Sequence, residues 1–353
     1  MCLVEISKFF EKENFFFIKY NFMYAINYII KMIKIGIIGL GNVGLSVHLP
    51  ILLARSDLEI SWVYDPNNKV KKICEKKKIP FFSKLNDALK YDYPEIVLIT
   101  TPYYSRKEIF EKLGNKISGI YCEKPFALTL KEHLDYAKNF KNYAFTIGYQ
   151  RRSLGIVQTA KKILSSNLFG DLNDLIIEFG DVHYSYDNFR SDKSKAGGGI
   201  FFETGSHWID AAIYILNAKK IDNFSCDKKI ENDLDVHSQG NFDIYNYSDK
   251  RIKCSFKFSS IENTKNKIIF KFNNCSIELF LFDDNSNLII NGNNSERFPI
   301  EDISMKNFPN DSLSQGTCYW DKFISSYKKK ESSYTSLDTF LLTTEAIELF
   351  YGN

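Results

Sequence analysis

KIGIIGLGNVG, Lys34 to Gly44, is an apolar run that breaks into Gly39-x-Gly41-x-x-Gly44. Three glycines at that spacing let a strand turn tightly into a helix and let backbone approach a pyrophosphate. Free N–H groups and the helix dipole favour negative charge there. Context separates the pattern from a chance glycine triple. Ile35, Ile37 and Ile38 read as a buried strand, and Val43 to Leu53 as an apolar helix. A second strand, Glu59–Tyr64, ends at Asp65, about 20 residues beyond the glycines, where a ribose-binding acid belongs. A carboxylate at Asp65 accepts bonds from ribose hydroxyls and repels a 2′-phosphate, so NAD is the expected cofactor. Lys69 nearby leaves room for NADP. Gly39, Gly41, Asn42, Val43, Gly44 and Asp65 form the expected cofactor loop.

A chain of 353 residues, 44% hydrophobic and 25% charged, has the length for two domains and the composition of a globular protein. Forty-six basic against 43 acidic residues leave a net charge of only +3, scattered along the chain. That gives no basic stripe for a phosphate backbone, so no nucleic-acid partner is expected. The seven cysteines are widely spaced with no CxxC pair, which argues against a disulfide framework and a zinc site and for a reducing cytoplasm. Residues 1–31 are apolar and aromatic, but Lys19 interrupts them and Glu5, Glu11 and Glu13 precede the run. They lack the layout of a signal peptide and are short and broken for a membrane span. They are expected to be an artefactual or poorly packed extension ahead of Met32, with a peripheral anchor as the alternative and no membrane partner otherwise expected.

Strands alternate with helices to about residue 150: helix 69–78, strand 79–82, a helix capped by Ser83, strand Glu95–Thr100, helix 105–113, strand 117–122, a helix capped by Thr129, and strand 143–149. This order implies a parallel, doubly wound sheet, α/β in class. Beyond residue 150 come a helix at Gly155–Leu164, a long strand at Leu172–Tyr186 and a buried helix at His207–Leu216. Runs of period two follow. Ile252, Cys254, Phe256 and Phe258 alternate with Lys253, Ser255, Lys257 and Ser259, and the pattern recurs at Ile268–Phe272 and Ile277–Phe282. An open, largely antiparallel sheet with one covered and one polar face is expected, its strands separated by turns such as Asp283–Ser286. Two closing helices fall near Trp320–Lys328 and Leu337–Phe350. The expected division is an extension at 1–31, a dinucleotide domain at 32–150 and a second α/β domain at 151–353.

Three places carry chemistry. Glu123-Lys124-Pro125 follows a core strand, at the carboxyl end of a parallel sheet where such folds bind ligands. A partly desolvated lysine there can exchange protons, although in a lysine-rich chain a surface role is the simpler reading. GGGIFFETGSHWID, Gly197–Asp210, places Glu203 and His207 four apart, on one face of a helix, where an acid fixes an imidazole tautomer and raises its basicity. Its glycines allow close approach to a ligand. The other four histidines, His48, His133, His183 and His237, read as structural. Thr100-Thr101-Pro102 ends the EIVLIT strand and suits packing beside a cofactor, or equally a plain turn.

Taken together, GLGNVG (39–44), TTP (100–102), CEKP (122–125), GYQRR (148–152) and GGGIFFETGSHWID (197–210) resemble the glucose–fructose oxidoreductase/inositol dehydrogenase/rhizopine-catabolism (Gfo/Idh/MocA) family from Met32 to the last helix. The resemblance implies a Rossmann domain, a substrate between it and the second domain, and a homodimer or homotetramer through the open sheet face. It implies Lys124, Glu203 and His207 around the substrate hydroxyl, with Thr100, Thr101, Pro102, Glu123, Lys124 and Gln150 on the cofactor. Tyr149, Arg152, Arg190 and Trp208 would wall the substrate pocket. The expected activity is hydride transfer between NAD(P) and a hydroxyl-bearing carbon of a sugar, cyclitol or nucleotide sugar. The alternatives are an NAD-dependent glycosidase and a non-catalytic NAD-binding sensor or scaffold. Four positions depart from the family pattern: Glu203 for the usual Asp, Tyr103 and Arg106 for the usual Asn and His, and Gln150 for Asn. One extra methylene at Glu203 shifts a carboxylate by about 1 Å, which matters in a site held to near-attack geometry.

Overall fold

β1 (Ile33–Ile38) runs between β2 (Leu58–Tyr64) and β4 (Ile96–Ile99), parallel to both. Ile35, Ile37, Val97 and Leu98 are fully buried, as expected of strands covered on both faces. With β3 (Phe81–Phe82), β5 (Gly119–Cys122) and β6 (Ala144–Ile147) they make a six-stranded parallel sheet in the order 3-2-1-4-5-6. That order reverses direction between β1 and β4, which opens a crevice at their carboxyl ends. The chain is seen here in a computed structural model that describes residues 32–114, 116–186, 188–281, 287–292, 296–301, 312–331 and 336–352. The expected 1–31 extension, Phe282 and the 283–286 turn lie outside the described residues.

Local chemistry moved some element ends. Val43–Leu53 is not one α-helix: Gly44–His48 forms a wide π turn, closed by Leu49 N–H to Gly44 O, before the α-helix Leu49–Ala54. Pro50 sits in the first turn of that helix, where its missing N–H costs nothing. Ser83 does not cap; the Leu85–Tyr91 helix starts after an extended Lys84 that makes no side-chain cap. Thr129 does cap, accepting from Glu132 N at 3.1 Å.

The second sheet has eight strands in the order β14 (Arg297–Glu301), β13 (Asn287–Gly292), β12 (Cys275–Phe280), β11 (Lys267–Phe272), β7 (Leu172–Gly180), β10 (Arg251–Ser259), β9 (Leu234–Asn246) and β8 (Ala218–Glu231). Within this sheet, only the β7 and β10 pair is parallel among the described strands. β7 stops at Gly180, short of the expected Tyr186, because the Asp181 side chain takes the His183 N–H at 2.9 Å and turns the chain. Leu175, Ile177, Cys254, Phe256, Phe258, Ile268 and Phe270 face the Gly155–Ser165, Ser206–Leu216 and Leu341–Tyr351 helices. Lys253, Ser255 and Lys257 point to the other face, as period two requires. β8 (Ala218–Glu231) and β9 (Leu234–Asn246) form a long hairpin around Asn232 and Asp233, both at positive φ.

The chain's end returns to the first sheet. Tyr319, Trp320, Phe323 and Ile324 of the Ser312–Lys329 helix join the core on one face of the parallel sheet, and Leu337 and Phe340 join the other.

Candidate active site

After β1 the chain turns at Gly39, whose φ of +88° only glycine adopts without strain. A Cβ there would stand 2.7 Å from Thr101 Cγ2, and one on Gly44 would stand 3.0 Å from Thr100 Oγ1. Thr100 Oγ1 donates to Gly39 O at 2.7 Å, so the TTP segment is the floor of the glycine turn. Gly41 differs, because a Cβ there would meet nothing within 4 Å. It lines open space. Asp65 stands behind the turn, accepting Leu40 N–H at 2.7 Å through Oδ2 and Asn67 N–H at 2.8 Å through Oδ1. Each oxygen keeps a further lone pair for a ribose hydroxyl. Asn42 is exposed and Val43 half-buried at the helix entrance.

Glu123 and Lys124 leave the carboxyl end of β5, and the Lys124–Pro125 bond is cis. Lys124 Nζ donates to Glu203 O at 2.6 Å and to Glu203 Oε2 at 3.3 Å. The other oxygen, Oε1, meets Arg190 Nε at 3.5 Å. Burial alone would raise the Glu203 carboxyl, but the charges of Lys124 and Arg190 outweigh it and hold the group below the ordinary carboxylate range.

The Gly197–Asp210 segment enters through a second wide turn, the π-helix Phe201–Gly205, and continues as Ser206–Leu216. Expectation and structure part here. The Glu203 carboxylate is committed to Lys124 and Arg190, so it does not raise the basicity of His207. Burial, then Lys124 and Arg151, push the His207 imidazole well below its usual value, so the ring is neutral. Its Nδ1 is buried without a hydrogen-bond partner, and Tyr149 packs edge-on against the ring at 5.6 Å. The glycines of this segment approach protein rather than ligand. A Cβ on Gly198 would collide with the Tyr351 hydroxyl, and one on Gly199 with the Asp235 backbone. Asp235 accepts Gly199 N–H at 2.7 Å, Phe201 N–H at 2.8 Å and Tyr351 O–H at 2.7 Å, locking the turn.

Two expected wall residues sit elsewhere. Arg152 is buried in a two-pronged ion pair with Asp210, at 2.8 and 2.6 Å, and lies over the Phe340 ring. Trp208 is fully buried between Phe179 and Arg151. The resemblance implies pocket walls at both positions, but their side chains point into the core. Tyr149 is 2% exposed and backs His207. Arg190 keeps 40% of its side chain exposed. Arg106, read as a departure at a cofactor position, is 3% exposed and donates to Thr101 O at 3.1 and 3.0 Å and to Pro125 O. It ties the TTP and EKP turns together, while Tyr103 donates to Glu132 at 2.8 Å. Sequence reading missed Asp235 and Tyr351, which carry no motif.

The site fits a dinucleotide on observations of its own. Thr101 Oγ1, Gln150 Oε1 and His207 Nδ1 are buried polar atoms without partners at this end of the sheet. Buried polar atoms are ordinarily hydrogen-bonded, so such atoms mark a surface made for a ligand. Gly41 leaves backbone open beside them. No cluster of three or more potential metal ligands occurs among the described residues.

Residues 33–147 match the model of an oxidoreductase family with an NAD-binding Rossmann fold, and residues 157–268 match the GFO/IDH/MocA C-terminal domain. An uncharacterized oxidoreductase of Streptococcus pneumoniae is 29% identical over 145 residues, 40% of this chain and 38% of that protein. Glucose-6-phosphate 3-dehydrogenase of Bacillus subtilis is 23% identical over 350 residues, 91% of this chain and 96% of the relative. The chain spans about half the length, or less, of the first curated relatives it matches. In fold, it is similar to an inositol dehydrogenase homolog from Azotobacter vinelandii solved with NAD+, at a TM-score of 0.78 and 12% identity over 90% of this chain and 94% of that one.

Proposed function

Since the chain belongs to the Gfo/Idh/MocA oxidoreductase family, we propose that it moves a hydride between NAD(P) and a hydroxyl-bearing carbon of a sugar, cyclitol or nucleotide sugar. One observation carries the reading. Lys124 and His207 meet at the carboxyl end of the parallel sheet, the first an anchored cation and the second a neutral imidazole with a buried, unpartnered nitrogen.

Bound nicotinamide supplies the hydride acceptor. His207 accepts the hydroxyl proton as the hydride leaves the same carbon, so the carbinol becomes a carbonyl and one proton and one hydride are accounted for. Lys124 as an ammonium has three donors, two of them on Glu203. The third hydrogen-bonds the developing alkoxide, a stabilisation that grows towards the transition state. Glu203 holds Lys124 in place. Arg190, half out in solvent, offers its outer guanidinium nitrogens to the substrate. In the reverse direction His207 returns the proton.

The test is a panel of sugars, inositols and nucleotide sugars, following absorbance of the reduced nicotinamide. Lys124→Ala and His207→Ala are expected to lower kcat by about 10²–10⁴-fold, the range of a general acid–base group, with NAD binding kept. Full activity in both variants overturns the assignment. The buried free thiols Cys74, Cys122 and Cys254 support a reducing compartment, the cytoplasm. Assembly through the outer face of the second sheet is supported by the alternating charges of Asp174, Glu178, Lys253 and Lys257 on its paired strands.

A further inference from the structure

The Ser312–Lys329 helix crosses the first glycine-loop helix at very short range. A Cβ on Gly316 would stand 2.7 Å from Ile51 Cδ1 and 2.9 Å from Val47 Cγ1, so a larger residue there would have to push those two side chains aside. Trp320 lies four residues on, on the same face, and reaches His48. The indole Nε1–H donates to His48 Nδ1 at 2.9 Å. An indole only donates, so Nδ1 is the acceptor and the imidazole proton sits on Nε2. Nε2 in turn lies 2.9 Å from Glu123 Oε1 and donates to it. His48 is 1% exposed, and Tyr121 stacks on the indole at 4.6 Å, so neither ring has freedom to turn.

The far end of this chain is the residue before Lys124. The Glu123 carboxylate lies flat on the Gly148 backbone, where a Cβ would stand 2.6 Å from Oε1 and 2.9 Å from Oε2. Oε2 accepts no hydrogen bond from the described residues. We propose that Trp320 and His48 are positioning residues that fix the Nε2–H tautomer and so aim the free oxygen of Glu123 at the bound nicotinamide end of the cofactor. Helix 312–329 thereby sets a cofactor contact without touching the cofactor. A residue from the last fifth of the chain governs a motif of the first domain. Its link to turnover rests on the function proposed above, but its tautomer and its effect on cofactor binding do not.

The experiment uses the full chain with histidine labelled by 15N, together with NADH titrations followed by fluorescence. Wild-type protein should show, beside the Nε2–H signal that His133 gives through its bond to Leu337 O, a second histidine locked as the Nε2–H tautomer that is absent from His48→Gln, and Trp320→Phe should release that second lock. His48→Gln places an amide N–H near Nε2 and keeps the donor to Glu123, whereas His48→Leu removes it. NADH affinity is expected to fall roughly tenfold in His48→Leu and to stay within about twofold of wild type in His48→Gln, one such decade being a readily measured step in dissociation constant. Thermal melts identify any variant that fails to fold, and the wild-type spectrum does not depend on them. An Nδ1–H tautomer for His48 in the wild type overturns the proposal, as does an equal effect of the Leu and Gln variants on NADH. Should no substrate be turned over while both arms give the expected result, the proposed reaction falls and the positioning role stands.

Discussion

Gly39–Gly44 and Gly197–Gly199 are both glycine-rich turns that lead through a single wide π turn into a helix, yet they do opposite jobs. In the first, Gly41 faces open space, and the loop is held from behind by Asp65 and Thr100. In the second, every approach is taken by the protein itself: Phe202 crowds Gly197, Tyr351 crowds Gly198, and Asp235 crowds Gly199. The first turn spends the N–H groups of Gly39 and Leu40 on Tyr64 O and Asp65 and keeps its Gly41 side open. The second spends its own on Asp235 and thereby fixes where Glu203 and His207 begin. Glycine spacing alone does not separate the two uses; what stands opposite each missing Cβ does.

The comparison breaks most visibly at the residues each turn delivers. His207→Ala should cost rate alone, about 3–5 kcal/mol in transition-state terms, with unchanged thermal stability and NADH affinity. Loss of NADH binding in that variant would mean that the second turn also holds cofactor. As to pH, the burial of His207 keeps its imidazole neutral through pH 6.5, so kcat/KM for oxidation should stay flat on lowering the pH through that value. An acid limb centred on 6.5 would instead indicate an ordinary, solvated base.

Nearly as large an effect is expected from His133, which fastens the segment carrying Tyr351 to the first domain. Its ring nitrogens lie 2.7 Å from Thr344 Oγ1 and 3.0 Å from Leu337 O, and burial lowers it from 6.5 to about 4. Below pH 6.5 the unfolded chain takes up a proton that the native ring refuses, so stability falls as the pH drops from 6.5 to about 4 and then levels off. The loss amounts to about 3 kcal/mol. Urea unfolding against pH reads it directly, and hydrogen exchange should show the second turn loosening before the first. His133→Leu should flatten the pH dependence.

Gly199→Ala comes next. A methyl group driven into the Asp235 backbone should cost about 1–3 kcal/mol of stability, with NADH affinity near wild type once folded. Gly41→Ala should do the reverse, leaving the melting temperature unchanged and weakening NADH about tenfold, roughly 1.4 kcal/mol. If both variants moved the same quantity, the distinction between an open and a filled turn would be lost.

Periodicity made much of this molecule legible. The apolar runs of β1, β4 and β5 announce strands buried on two faces, and the alternation of Ile252–Ser259 announces a sheet with one wet face. Element ends were less visible: the Leu85–Tyr91 helix starts with no side-chain cap although Ser83 stands just ahead of it, and β7 ends where Asp181 takes the His183 N–H. At the site, Lys124 and His207 could be picked out because their sequence neighbours form motifs. Arg152 and Trp208 could be misplaced for the same reason. Adjacency in sequence does not say which way a side chain points, and Asp210 and Phe179 claim these two. Arg106 departs from the family pattern, and nothing local in the sequence shows that it bridges two backbone carbonyls, Thr101 O and Pro125 O.

Sequence alone was sufficient for the dinucleotide fold and the glycine turn, and it singled out Asp65 and the motifs that carry Lys124 and His207. These depend on local spacing and on backbone conformations that few residues permit. Only the tertiary structure decided that Glu203 serves Lys124 rather than His207, that the second glycine turn is filled by Asp235 and Tyr351, and that Trp320 reaches His48 across a separation of 272 residues. Those outcomes turn on which distant groups compete for one carboxylate, one carbonyl or one gap left by a missing Cβ. Such competition is settled by packing, and packing has no local signature.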